Sequence, residues 1–158
     1  MATIDDILTT LQNSSVAHAV SKSDHMVGAT LQIVHVLGFI LLLASLVLIS
    51  LRVLGLAFKA QPVAEVSKDA TRLNRIGLAL AVITGTLMFV ASPKLYYYKW
   101  AFELKMVLLI VAVIIQTTLF RKVSTHETPN PLLAKTSVAL SILVWFGIGL
   151  AGRTIGFI

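Results

Sequence analysis

Long apolar stretches dominate this chain, and they leave few folds open to it. They cover residues 26–58, 73–91, 101–120 and 131–155. About 20 consecutive apolar residues suffice for a helix to cross a bilayer, and a helix satisfies its own backbone donors and acceptors there. A soluble domain of this size needs a polar surface. With 57% apolar and 13% charged residues, the chain has too little polar material to make one. The expected fold class is all-α: an integral membrane four-helix bundle forming a single domain over residues 1–158.

The segments between the stretches fit that reading. Residues 3–12 predict a short amphipathic helix, with Ile4, Ile7, Leu8 and Leu11 on one face and Asp5 and Asp6 in the first turn. Too short to span, it is expected to lie at the membrane interface. The N-terminus lacks an early basic cluster, and the first apolar run is too long for a signal-peptide core, so no cleaved signal is expected. Residues 59–69, with Pro62, read as a polar loop, and Ser92-Pro93 ends the second span. An aromatic link holding Tyr96, Tyr97, Tyr98 and Trp100 follows and reads as an interfacial belt. Arg121, Lys122, His126 and Glu127 form the third loop, and Asn130-Pro131 starts the last helix as cap and first-turn residue.

The net charge of +6 does not point to nucleic acid, because the basic residues cluster at the ends of apolar runs. Arg52, Lys59, Lys68, Arg72, Arg75, Arg121, Lys122 and Lys135 share one side, expected to be cytoplasmic, which puts both termini outside. The chain has no cysteine, so disulfides and thiolate metal sites are excluded. Gly77, Ala81 and Gly85 recur at every fourth position, as do Gly152 and Gly156. Such rows let helices approach closely, or leave room for a flat cofactor.

Ionisable groups within spans are costly and mark functional sites. His35 lies ~13 Å along its helix from Met26, with Gln32 and Gly38 one turn away on either side. Neutral imidazole binds iron, copper or zinc, and Gly38 would open space beside it; the alternative is a histidine hydrogen-bonded to another helix. Glu103 and Lys105 lie early in the third span and Arg153 late in the fourth, all in the same half of the membrane as His35. A histidine at depth with cations above it suits haem b: His35 would hold the iron, with Lys105 and Arg153 at the propionates. Snorkelling to the headgroups is the other reading of those two cations. Met88 and Met106 stand at a suitable depth for a second ligand, or fill the core.

Several motifs carry a resemblance. They are residues 11–17, His35-Val36-Leu37-Gly38, residues 51–55, residues 84–89, Phe102-Glu103-Leu104-Lys105-Met106 and Ala151-Gly152-Arg153. Together they resemble an uncharacterised family of four-helix bacterial inner-membrane proteins over nearly the whole chain. More distantly the layout is similar to copper-resistance D-type membrane proteins and to four-helix haem-binding protoporphyrinogen oxidases. Both groups have a first-span histidine followed by a glycine, matched by His35 and Gly38. The oxidases have an early third-span lysine after an aromatic residue, matched by Lys105 after Phe102. The likeness implies a homo-oligomer, a trimer by analogy, with a quinone or another redox partner.

Three functions follow as expectations. The first is a haem b-binding membrane protein acting in electron transfer or haem handling. The second is a protoporphyrinogen oxidase-like enzyme using the same haem. The third is a non-catalytic accessory subunit whose polar residues are packing glue. Copper, bound by His35 and methionines, is a minor alternative to haem.

Overall fold

The computed structural model describes residues 3–22, 25–126 and 130–157, without the side chains of residues 21, 22 and 25. Glu127 lies outside these residues, as does the side chain of His25. The described chain is helical and contains no strand. Two short helices, α1 (Ile4–Gln12) and α2 (Ser15–Lys22), precede α3 (His25–Val53) and α4 (Val63–Ala91). A one-turn α5 (Pro93–Tyr97) leads into α6 (Trp100–Ile115), which continues through a π turn (Gln116–Phe120) into α7 (Arg121–Ser124). The last helix is α8 (Pro131–Thr154).

Among the described residues, four helical segments are long and apolar enough to cross a membrane: Met26–Val53, Val63–Ala91, Trp100–Ser124 and Pro131–Thr154. The first stops at Val53, short of residue 58, because Gly55 takes a left-handed conformation with φ 68°. The Leu56 N–H then donates to Leu51 O at 2.9 Å and the Gly55 N–H to Arg52 O at 3.0 Å, which closes the helix end. Glycine reaches this geometry without the Cβ penalty.

The second span begins at Val63, and most of the expected 59–69 loop is helix. Val63, Ser67 and Ala70 are buried while Lys68, Asp69 and Arg72 stay exposed. A four-then-three spacing of small or apolar residues buries one stripe of an amphipathic helix. Its polar side reads as loop when only hydropathy is weighed. Helix α2 has the same origin: short and polar, it buries little beyond Ala17.

Packing divides the bundle into two pairs. Helices α3 and α4 lie along each other over most of their length, and α6 packs on α8. The pairs meet mainly where α3 touches α8 and α7. Glycines set the closeness of the first pair. A Cβ at Gly77 would stand 2.6 Å from Gly38 O, and one at Gly38 would stand 2.9 Å from Gly77 O, so neither site admits a side chain without moving backbone. This is the small-residue contact expected of helices in lipid.

Leu42, Leu46, Ile49, Phe120, Trp145 and Ile148 form the apolar interior. Asn74 Nδ2 donates to Leu42 O at 3.3 Å and adds a polar tie between α3 and α4. The Trp145 Nε1–H donates to Gln116 Oε1 at 3.3 Å, where the π turn opens. Outward faces are apolar: Ile33, Leu37, Ile40, Ile83, Ile110, Leu143 and Leu150 are all more than half exposed. Such a surface is a liability in water and is satisfied by lipid.

Candidate functional site

Between the two helix pairs, at the end where α3 and α6 begin and α4 and α8 finish, lies a cleft of about 650 Å³. That volume falls within the ~300–1,000 Å³ usual for small-molecule sites. Its walls are mostly apolar. Phe89 of α4 stacks on Phe102 of α6, with centroids 5.2 Å apart and rings 5° from parallel. Tyr96 leans on Phe102 at 6.1 Å. Phe39 and Ile148 lie towards the bundle interior, where Phe39 meets the buried Trp145.

His35 is half-buried in this wall. Its Nδ1 is 3.1 Å from Thr84 Oγ1, and that hydroxyl is 2.6 Å from Leu80 O. A hydroxyl has one proton to give. With that proton spent on the Leu80 carbonyl, Thr84 accepts from the imidazole Nδ1–H. The hydrogen-bond network thus assigns the proton to Nδ1 and leaves the Nε2 lone pair facing the cleft. Gly85 makes room for the ring, since a Cβ there would come within 3.0 Å of His35 Cε1.

The cations gather at one end. Lys105 and Arg153 both line the cleft, as does Lys99. Arg153 sits at the exposed mouth, its guanidinium 4.6 Å above the Phe157 ring. Lys99 Nζ donates to Ile155 O at 2.8 Å, closing the C-terminal end of α8 with a charge its dipole favours. Lys105 is deeper than either, with Nζ 3.4 Å from His35 Nε2. Among the described residues, no acidic side chain lines the cleft.

Of the residues singled out from sequence, His35, Lys105 and Arg153 come together here. Gly38 does not. It is packed into the α3–α4 crossing against Gly77 and Ala81, and the glycine beside the imidazole is Gly85. Met88 lines the cleft, whereas Met106 faces outward and Glu103 is exposed. Thr84, Lys99 and Tyr96 belong to the site without having been singled out as candidates. Thr84 lies 49 positions from His35, and only the helix crossing joins them. Lys99 closes an aromatic link whose composition reads as membrane belt, which hides its role. Tyr96 also shows its partial burial chemically, since desolvation pushes its phenol above the ordinary tyrosine range. Among the described residues no three His, Asp or Glu side chains come together as a metal site.

Fold and cleft together define a multi-pass helical membrane protein that presents one oriented imidazole to an aromatic cleft rimmed by cations. Residues 11–158 match a family described as being of unknown function (DUF6644), and the chain belongs to that family. No curated protein and no solved structure matches it.

Proposed function

We propose that the cleft holds haem b, and that the protein acts in electron transfer or haem handling. The carrying observation is the contact of His35 Nδ1 with Thr84 Oγ1, whose own proton goes to Leu80 O; the tautomer that follows has Nδ1–H donating and Nε2 turned to the aromatic cleft. A hydrogen bond to the far ring nitrogen is how proteins orient a ligating imidazole. A single imidazole suits a cofactor that brings its own equatorial nitrogens better than it suits a bare copper ion. His35 would bind the iron. Arg153 and Lys99, at the mouth, would pair with the propionates. Phe89, Phe102 and Phe39 would line the macrocycle and exclude water. Haem, when bound, supplies one-electron chemistry. The residues of this chain supply position, dryness and positive charge.

We place the protein in a bacterial inner membrane, with the basic ends of α3, α4, α7 and α8 in the cytoplasm and the cleft opening on the other side. The apolar outer face of α6 would meet lipid or a second copy in a homo-oligomer.

The test is the visible spectrum of the full chain in mild detergent, oxidised and then reduced with dithionite. A Soret band with sharp reduced α and β bands, lost in His35→Ala, is the expected result. A chain that stays colourless after hemin is added would overturn the proposal and favour an accessory role.

A further inference from the structure

Lys105 is not where a propionate partner belongs. It starts on α6, in the helix pair opposite His35, and its ammonium crosses the cleft to end 3.4 Å from His35 Nε2. The stem lies along α8 beside Gly152. A Cβ at Gly152 would be 3.7 Å from Lys105 Cε and 3.8 Å from Cδ, in ordinary contact, so the glycine flanks the slot that holds the side chain. A lysine that merely snorkelled would run to the mouth, where Arg153 already sits.

Two nitrogens, one from each half of the bundle, therefore meet across the cleft, the Lys105 ammonium donating to the lone pair of His35 Nε2. Bonds from a metal ion to nitrogen ligands are ~2.0–2.1 Å, so two nitrogens on opposite sides of one ion stand ~4 Å apart. The present separation needs to widen by less than ~1 Å on that figure. The flexible four-carbon stem of lysine absorbs such a change by rotation. The two helix pairs share far fewer contacts with each other than each has within itself.

We infer that Lys105 Nζ is the second axial ligand of the iron, facing His35 Nε2 from the opposite helix pair. The inference rests on the haem reading above. A ligating amine is neutral, so the bond from Nζ to iron forms as one ammonium proton leaves to water. Arg153 and Lys99 then remain for the carboxylates. Met88 is the competing ligand, since its thioether also lines the cleft, from the same helix pair as His35.

The test uses the full chain titrated with hemin, read by ferric absorption and electron paramagnetic resonance. The wild type should be six-coordinate and low-spin. Lys105→Ala and Lys105→Arg should both keep haem yet become high-spin, and methylamine should restore the low-spin signal to Lys105→Ala. Arginine discriminates because it keeps the charge but cannot give up a proton to ligate. A low-spin Lys105→Arg, a high-spin wild type, or loss of the low-spin signal in Met88→Ala alone would overturn the inference while leaving the haem reading intact. The wild-type resonance spectrum needs no variant, so a misfolded mutant does not block the decision. A chain that takes up no hemin overturns both readings.

Discussion

The Thr84 hydroxyl stands between the Leu80 carbonyl and His35 Nδ1, and it can serve each in only one way. Replacing it by valine keeps the shape and removes the acceptor, so either imidazole nitrogen can then carry the proton. Thr84→Val is expected to weaken hemin binding by about 10–100-fold, the usual cost of losing such a supporting bond. Thr84→Ser should stay near the wild type. Titration followed at the Soret band measures both. Gly85→Leu is expected to abolish binding, because even a Cβ there would press on the imidazole at 3.0 Å. The same titration checks it, and helicity by circular dichroism should be unchanged. His35 was legible in the sequence because an ionisable group inside an apolar run is conspicuous. Its partner was not, because a threonine in a span has many roles and nothing local links it to a residue 49 positions away.

At the scale of helices, the α3–α4 crossing and the docking of α1 are each held by identifiable contacts. Gly77 meets backbone, not a yielding side chain, at 2.6–2.7 Å from a Cβ position. Gly77→Leu should therefore force the pair apart and cost ~1–3 kcal/mol or more, as overpacking does. The measurement is a lower unfolding temperature in detergent, with no such loss for the same change at Gly28, which has open space around it. Helix α1 is closed by a reciprocal cap. Thr3 Oγ1 accepts from the Asp6 N–H at 3.3 Å and Asp6 Oδ2 accepts from the Thr3 N–H at 2.8 Å. It is tied to the aromatic link by the Tyr98 hydroxyl, which donates to Asp5 Oδ1 at 2.7 Å. That bond raises the Tyr98 phenol above its ordinary range, since the neutral form is the donor. The contribution is thus complete below the ordinary tyrosine range and is lost as pH rises through the raised value. Protection of residues 4–12 from hydrogen exchange should fall at strongly alkaline pH, and in Tyr98→Phe at any pH. The tyrosines read as an interfacial belt in the sequence. Tyr98 in addition anchors a helix, a contact that bridges 93 positions and has no local signature.

For the whole molecule, the asymmetry of charge predicts a topology that can be mapped directly. The chain lacks cysteine, so a single introduced cysteine is a unique label. In intact cells of a bacterial host, Lys94→Cys should react with a membrane-impermeant maleimide, and Lys122→Cys should react only after permeabilisation. The reverse pattern would invert the orientation and put the cleft on the cytoplasmic side. The bundle's division into two pairs also has a consequence. The pairs are joined by fewer contacts than hold each pair together, so a ligand bridging them should raise the unfolding temperature, as any ligand selective for the folded state does.

The sequence by itself determined the class of this protein. Long apolar runs admit only helices in a bilayer, because no other single segment satisfies its backbone there. It also determined the cast of polar residues, since a histidine, a lysine and an arginine within spans are expensive and stand out. Helix limits were partly legible: Asn130-Pro131 starts α8 as expected, whereas the amphipathic turn from Val63 was masked by its polar side. The tertiary structure alone decided which glycine packs helices and which accommodates the imidazole. Gly38 and Gly85 look alike in the sequence, and only the register of α3 against α4 separates a backbone crossing from a space beside His35. It alone also set Lys105 on the imidazole and left Lys99 and Arg153 at the mouth. Depth along a helix follows from counting residues, but direction across a bundle depends on helix rotation, which long-range packing sets.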